Sequence, residues 1–286
     1  MLPSIPQPKS FRATYATYVG LFYIFLMAPL VVVAVFAFND SMFPSLPWGG
    51  FTLDWFFNPT EPRRGLLHDD RLLESIGTSF YVAVWVTVLS VVVGTSNAFL
   101  FERRNFPFKN LLYMLMLLPL VIPGVILGIS ILVFSSTIAN WFENSLGIDL
   151  EFLRPSTFLV ILGQFSFITT IATLIIAARL RKFDTSLEEA ALNLGASRLV
   201  AVWTVTIPYL KPAIVGAAIV AFLMSFENFN TTLMLVGSDQ PLTIAMYGRL
   251  REGSTPVLNA LSLLLMAVSG TLALLSVFVQ RDRDAS

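Results

Sequence analysis

Six apolar stretches, each long enough to cross the hydrocarbon core of a bilayer as a helix, constrain this chain more than any other feature. They lie near residues 15–38, 76–100, 111–136, 155–178, 212–236 and 256–280. A hydrocarbon core of roughly 30 Å requires about 20 helical residues. Of the 286 residues, 56% are hydrophobic and only 13% are charged, which is too apolar for an ordinary soluble domain. The sequence therefore predicts an all-α membrane protein with six transmembrane helices.

Lysine and arginine are distributed unequally between the two sides that six spans would define. With the amino terminus inside, twelve of these residues lie in cytoplasmic segments and six lie outside. Cytoplasmic loops carry such an excess, so both termini are predicted to be cytoplasmic. Residues 1–14 and 281–286 are then short cytoplasmic tails. Residues 15–280 form one six-helix transmembrane domain, which includes a cytoplasmic loop at 179–211.

Helix-breaking residues interrupt the third stretch. Pro119, Pro123, Gly124 and Gly128 occur within ten residues of one another. Such residues are tolerated in a membrane only where neighbouring helices, side chains or water satisfy the freed backbone groups. We therefore expect a bent third helix, either because it borders a cavity or because the bend improves packing.

A segment of soluble character lies between the fourth and fifth stretches. Capping boxes that begin at Thr185 or Ser186 predict the start of a helix. Gly195 supplies a residue suited to the left-handed conformation that ends helices. Ser197 is then a good first residue for a second helix, and Pro208 leads into the fifth span.

The residues inside the first of these short helices are suited to contact with another protein. Ala190 and Ala191 are small enough for close approach, and Glu189 places a carboxylate near the positive end of the helix. Arginine or backbone N–H groups of a partner would bind it. A plain amphipathic loop is the functionless alternative, since Glu-Ala-Ala alone is common.

The complete pattern is more specific. Glu-Ala-Ala-x3-Gly-x9-Val-x-Ile-Pro, from residue 189 to residue 208, closely resembles the loop by which permease subunits of bacterial ATP-binding-cassette (ABC) importers contact their ATPase partners. The resemblance implies a fold like that of type I ABC importer permeases. It also implies an ATPase-coupling site formed by Glu188, Glu189, Ala190, Ala191, Gly195 and Pro208.

Other segments resemble the spermidine/putrescine permease family. They are Arg179-Leu180, Leu194-Gly195-Ala196-Ser197, Ser225-Phe226-Glu227-Asn228 and Gly253-x2-Pro256-x2-Asn259-Ala260. This resemblance implies an inner-membrane subunit that forms half of a translocation pathway for a small polar solute, such as spermidine or putrescine. The implied partners are a second, different permease chain, two copies of an ATPase that carries ATP and Mg²⁺, a periplasmic substrate-binding protein and membrane lipid, with no nucleic acid.

The chain departs from the polyamine family at two positions. Gln164 stands where that family has a histidine, and Asn228 stands where many relatives carry a second acid. Another small cargo, such as an amino-acid derivative, an opine or a ferric ion, therefore stays open.

Glu227 is the one acid placed inside a predicted span. A charge at the centre of a membrane helix costs about 2.5–3.5 kcal/mol, so such a residue usually faces a cavity or a partner. A role in the pathway, an interhelical hydrogen bond and an early exit from the membrane are the three interpretations. The candidate substrate-pathway residues are Glu227, Asn228, Asn230, Thr231, Gln164 and Thr170. The hydroxyls of the fourth span, Thr170 among them, either join helices or wet a cavity.

The composition argues against other functions. The chain has no cysteine and one histidine, His68, so thiolate and histidine metal sites are not expected. No Gly-x4-Gly-Lys loop is present, so ATP hydrolysis is assigned to a partner chain, and neither a catalytic set nor a cofactor is predicted on this one. An ion-coupled secondary transporter would favour more intramembrane acids and an internal repeat.

The predicted orientation can be tested directly, because a chain without cysteine accepts single cysteines for labelling. We expect cysteines at residues 190 and 284 to react with a membrane-impermeant maleimide only after the cells are permeabilised. Cysteines at residues 60 and 147 should react in intact spheroplasts. Labelling of residue 190 from outside would contradict both the orientation and the docking role.

Overall fold

The computed structural model describes residues 8–253 and 256–284, which are mainly helical. The helices are α1 Lys9–Phe36, α2 Asp54–Phe57, α3 Asp70–Arg103, α4 Lys109–Val121, α5 Gly124–Leu146, α6 Thr157–Leu180, α7 Ser186–Asn193, α8 Arg198–Ala201, α9 Ile207–Phe226, α10 Asn230–Leu235, α11 Leu242–Glu252 and α12 Pro256–Asp284. One turn of π-helix, Val202–Thr206, joins α8 to α9 without interruption. Short 3-10 helices occupy Leu66–His68 and Glu151–Leu153.

Among the residues that the structure describes, five helical segments are long and apolar enough to cross a membrane. They are α1, α3, α5, α6 and the continuous segment Arg198–Phe226. α4 is a shorter apolar helix, and the part of α12 whose side chains the structure describes, Pro256–Thr271, is also apolar. The predicted amino-terminal tail is helical from Lys9, and the predicted carboxyl-terminal tail is helical to Asp284. The tail residues 1–7 and 285–286 lie outside the described residues.

The third predicted span, 111–136, is wrong as a single helix. α4 ends at Val121, and α5 begins at Gly124 and continues to Leu146. Ile122 is extended, with φ −74° and ψ 128°. The cause is Pro123, which has no N–H to donate and disfavours the helical conformation of the preceding residue.

The extent of the fifth predicted span, 212–236, is also wrong. The helix already begins at Arg198, runs through the π turn and ends at Phe226, and α10 restarts the helical path at Asn230. Pro208 lacks the N–H that would bond to the carbonyl four residues earlier, at Thr204. The π turn lies directly before this proline, so the helix continues through a position that the sequence suggested would be its start.

The chain divides into two compact units, residues 1–73 with 246–286 and residues 74–245. In the first unit, Trp55 is buried and its indole N–H donates to the carbonyl of Asn39 at 2.8 Å. Arg249 pairs with Asp69 at 2.6 Å. Burial alone would raise the pKa of Asp69, but hydrogen bonds from Arg249 and the Leu72 N–H hold that pKa below its usual value.

In the second unit, α6 is the most enclosed span. Of its most apolar 18-residue window, 61% of the residues are buried. α6 packs against α9, α10 and α4. A Cβ atom added at Gly94 of α3 would lie 2.9 Å from the Cβ of Ala172 and 3.0 Å from the backbone N of Thr173. α3 therefore approaches α6 closely, as small residues permit in membrane helix packing.

Candidate functional site

The first candidate site is α7, whose boundaries follow from local sequence signals. The helix begins at Ser186, close to where the capping boxes predict. The capping box itself is not formed, because Thr185 makes no side-chain cap. Instead, the Asp184 carboxylate accepts from the Ser186 N–H at 2.9 Å, and this hydrogen bond lowers the pKa of Asp184.

The end of α7 is a Schellman motif, as the glycine predicts. Gly195 has φ +91°, its N–H donates to Leu192 O at 2.9 Å, and the Ala196 N–H donates to Ala191 O at 3.1 Å. The Ser197 hydroxyl then accepts from the Val200 N–H at 3.4 Å and caps α8, as expected. These bonds fix α7 and α8 as two short helices joined at a sharp corner.

The corner exposes a mixed polar and apolar surface. Glu189 and Ala190 are exposed, Ala191 is half-buried, and Gly195 has no atom within 4 Å of the position that a Cβ would occupy. Leu194 is 90% exposed, and Leu199 and Trp203 are largely exposed as well. Pro208 lies further along and is also exposed. We call the exposed face formed by Leu187, Glu189, Ala190, Leu194 and Leu199 the docking face.

Glu188 behaves differently from its neighbour Glu189. Its carboxylate accepts from both terminal nitrogens of Arg103, the last residue of α3, at 3.2 and 3.3 Å. The buried Thr206 hydroxyl donates to the same carboxylate. The structure therefore turns Glu188 toward its own chain, while Glu189 points away from it. Sequence reasoning grouped the two acids and missed Arg103 and Thr206, which carry no local signal for this contact.

The second candidate site is the interruption between α9 and α10. Glu227 is the residue after the last turn of α9, and its side chain is exposed. It makes no ion pair with any described residue. An anion at the carboxyl end of a helix faces the negative end of the helix dipole, which costs about 0.3–1 kcal/mol. The dipole of α9 therefore does not stabilise the charge of Glu227.

A buried hydrogen-bond chain surrounds this interruption. The Ser225 hydroxyl donates to the Gln164 Oε1, and the Gln164 Nε2 donates to the Thr232 Oγ1 at 2.9 Å. The Thr232 hydroxyl donates to the Asn228 Oδ1 at 2.9 Å, and the Thr232 N–H donates to the same oxygen at 3.2 Å. Gln164 is 1% exposed and Thr232 is fully buried. Gln164 thus joins α6 to both sides of the break.

The other candidate pathway residues fall into two groups. Asn230 is exposed at the start of α10, whereas Thr231 is buried and donates to the Gly124 carbonyl at the start of α5, at 3.3 Å. Thr170 is 2% exposed and donates to the Met116 carbonyl of α4 at 2.7 Å. The structure brings Gln164, Asn228 and Thr231 near the break, and it places Thr170 in the contact between α6 and α4.

Two helix breaks meet in this region. α10 packs against α5, whose first residue follows the Pro123 break. A Cβ atom added at Gly128 of α5 would lie 2.9 Å from the Cβ of Met234 in α10. The segments that follow the two interruptions therefore pack against each other, while Val121, Ile122 and Pro123 at the first interruption are exposed.

Comparisons with known proteins match nearly the whole chain. Residues 71–282 match the family described as "Binding-protein-dependent transport system inner membrane component". The putrescine transport system permease protein PotI of Escherichia coli (strain K12) is 27% identical over 268 residues, which cover 91% of this chain and 90% of that protein. The spermidine/putrescine transport system permease protein PotC of the same strain is 25% identical over 262 residues, which cover 91% of each chain.

A solved structure shares the fold. A chain from the crystal structure of a bacterial ABC transporter involved in the import of the acidic polysaccharide alginate aligns with a TM-score of 0.65. The alignment covers 97% of this chain and 99% of that chain, at 14% identity. The mainly helical fold of this chain is therefore shared with a chain of that ABC transporter.

The role of Gln164 can be separated from a role in cargo contact. Gln164→Leu keeps much of the side-chain volume but leaves Ser225 without its acceptor and Thr232 without its donor. We expect the free energy of unfolding in detergent to fall by about 1–3 kcal/mol. Ser166→Ala is the matched control, because that hydroxyl donates within α6, to Gly163 O at 2.7 Å, and has no hydrogen bond to another helix in the described part of the chain. Equal thermal unfolding of the Gln164→Leu variant and the unaltered protein would contradict a structural role for the amide.

Proposed function

Because this chain belongs to the family of binding-protein-dependent transport system inner membrane components, we propose that it forms half of the translocation pathway of an ATP-driven polyamine importer. As a family member it is a multi-pass inner-membrane permease of an ABC importer. Family membership also implies a complex with another permease chain, an ATPase and a substrate-binding protein. The finer assignments proposed here are a second permease of different sequence, two ATPase copies that carry ATP and Mg²⁺, and a periplasmic binding protein.

The proposed topology has six spans and cytoplasmic termini. α12 supplies the sixth span, and its sequence carries no charged residue from Pro256 to Gln280. α4 and α5 together supply the third, with the Pro123 break inside the membrane domain. This arrangement places α7 and α8 in the cytoplasm, on the same side as the ATPase. The excess of Lys and Arg in the cytoplasmic segments supports it.

The observation that carries the coupling role is the docking face. Its apolar side chains are exposed in a segment that is otherwise polar, and Leu194 is 90% exposed. Exposed apolar side chains rimmed by polar residues mark protein interaction sites. The docking face also holds Glu189, which has no ion pair with any described residue. We assign Glu189, Ala190, Ala191 and Gly195 to direct ATPase contact, with Pro208 directing the helix that follows.

The cargo assignment rests on the polyamine permeases and on Glu227. PotI and PotC, at 27% and 25% identity, are named for putrescine and spermidine/putrescine transport. An exposed carboxylate without an ion pair, next to a break in a membrane helix, suits a small organic cation. We assign Glu227 to the pathway, with Asn228 and Asn230 beside it. Gln164, Thr170 and Thr231 act by shaping the surrounding helices.

The coupling role predicts different outcomes at Glu189 and Gly195. Glu189→Lys reverses the charge of the docking face, and we expect it to lower uptake at least about tenfold, equivalent to ~1.4 kcal/mol of lost interaction. Gly195→Val disfavours the positive φ of the corner, whereas Gly195→Asn adopts that conformation more readily and is the control. Uptake, permease content of the membrane and co-purification of the ATPase are measured together. Full uptake by both Glu189→Lys and Gly195→Val would remove the assigned role.

The cargo role predicts a charge effect at Glu227. Glu227→Gln removes the charge and nearly keeps the shape, so putrescine uptake per assembled complex should fall about tenfold. Glu227→Asp keeps the charge and should retain most uptake. Asp239→Asn, at another exposed acid, is the control for a general charge effect. Normal uptake by Glu227→Gln would rule out a charge-dependent pathway role.

A further inference from the structure

We propose that the contact of Glu188 with Arg103 and Thr206 is the internal link that transmits movement of the ATPase-bound α7 to the transmembrane helix α3. This inference rests on the proposed coupling function, and it gives a role to Glu188, the residue of α7 that faces the rest of the chain. Glu188 and Arg103 are positioning residues, since they act through helices and not on cargo or ATP.

The contact joins parts of the chain that are far apart in sequence. Both terminal nitrogens of Arg103 donate to the Glu188 carboxylate, at 3.2 and 3.3 Å, across 85 residues of chain. The side chains are 24% and 21% exposed, so the pair is more enclosed than a surface ion pair. The Thr206 hydroxyl, which is fully buried, donates to the same carboxylate from the π turn. One carboxylate thus connects α7, α3 and the helix that leads into the fifth span.

Arg103 is itself held in place. Its guanidinium lies over the ring of Phe183, 5.2 Å from the ring centre. Phe183 is 7% exposed and belongs to a buried apolar cluster with Ala98 of α3, Leu180 of α6 and Leu210 of α9. A planar guanidinium that is fixed on one side by an aromatic ring and on the other by a bidentate carboxylate has little freedom to follow α7 without moving α3.

A second ion pair supports the same end of α3. Arg181, just after α6, donates to Glu102 at 2.8 Å, and its pKa is raised by this hydrogen bond and by the charge of Glu102. Arg181 also contacts Tyr113 of α4. The last turn of α3 is therefore attached at two points: Glu102 binds Arg181 in the link before α7, and Arg103 binds Glu188 within α7.

Adjacent residues show that the contact is selective. Arg104 follows Arg103 and Glu189 follows Glu188, yet both Arg104 and Glu189 are exposed and neither has an ion pair with a described residue. In the arginine pair Arg103 faces the protein and Arg104 faces outward, and in the glutamate pair Glu188 faces the protein and Glu189 faces outward. The inward members meet each other, and the outward members remain for a partner or solvent.

α3 is suited to carry the movement across the membrane. It is a continuous helix of 34 residues, and it contacts α6 closely at Gly94. Gly77 and Arg103 are separated by about 39 Å along this helix. Coupling between distant sites requires a chain of rigid, packed elements of this kind. Displacement of α7 at one end therefore reaches the opposite end of α3.

The test uses the assembled complex of both permeases and the ATPase, in liposomes. Gly77 is exposed and a Cβ there would meet no atom within 4 Å, so Gly77→Cys reports the far end of α3 in a chain with no other cysteine. The readout is the ratio of maleimide labelling rates at this cysteine with and without Mg-ATP and vanadate. This ratio does not depend on which cargo is carried.

We expect Glu188→Gln and Arg103→Gln to bring this ratio close to one while the ATPase still co-purifies with the permeases. The charge swap Glu188→Arg with Arg103→Glu should restore part of the ratio, because the Thr206 hydroxyl can accept as well as donate. Arg104→Gln is the matched control and should leave the ratio unchanged. A role in folding alone would lower the amount of complex without changing the ratio.

Two results would overturn the proposal. One is an unchanged ratio in both single variants, and the other is a ratio of one in the unaltered complex, which would mean that α3 does not move. If the coupling function itself were wrong, the result would differ: Glu189→Lys would then change neither the co-purification of the ATPase nor the labelling ratio at Gly77→Cys. Loss of the ATPase in Glu189→Lys together with an unchanged ratio in Glu188→Gln would retain the docking face and refute the link.

Discussion

Lipid offers no hydrogen bonds to a polypeptide backbone, and each interruption of a helix in the membrane domain must therefore be satisfied by the protein itself. The structure meets this requirement around α6. Hydroxyls at Thr170 and Thr231 donate to carbonyls of α4 and α5, and the Thr243 hydroxyl donates to the Asn228 carbonyl at 3.0 Å. Gln164 of α6 joins both sides of the break after α9, and Thr231 of α10 bonds to the first residue after the break before α5. The exposed position of Glu227 follows from this arrangement, since the buried amide chain fixes the residues on either side of it.

The features that depend on neighbouring residues in the sequence were predictable. The start of α7, the left-handed Gly195 and the Ser197 cap are set by hydrogen bonds that span a few residues, and each lies where the sequence indicates. The enclosure of α6 by other helices agrees with the packing interpretation of its threonines, because Thr169 contacts Ser90 of α3 and Thr170 contacts α4. Local chemistry and hydropathy were sufficient for these.

The features that depend on distant residues were not predictable. Glu188 and Glu189 are equivalent in the sequence, and only the last turn of α3, 85 residues earlier, distinguishes them. Gln164 in a hydrophobic helix is compatible with a wet cavity or with a dry interface, and Ser225 and Thr232 decide between these alternatives. Hydropathy also treated Pro208 and Pro212 as a boundary, because an average over a window cannot detect that a π turn lets the helix continue past them.

That π turn fixes an angle as well as a length. A residue added to one turn of a helix rotates everything before it, relative to everything after it, by about 100°. The five residues Val202–Thr206 lie between the docking corner and the long helix whose buried side includes Leu210, Ala217 and Ala221. The buried side of α9 packs against α6. The π turn therefore sets the direction in which Leu199 and the α7–α8 corner point relative to α6. The direction in which the α7–α8 corner faces, relative to the buried side of α9, is consequently a property of this single turn, and an insertion or deletion there would redirect the corner without changing any residue on its surface.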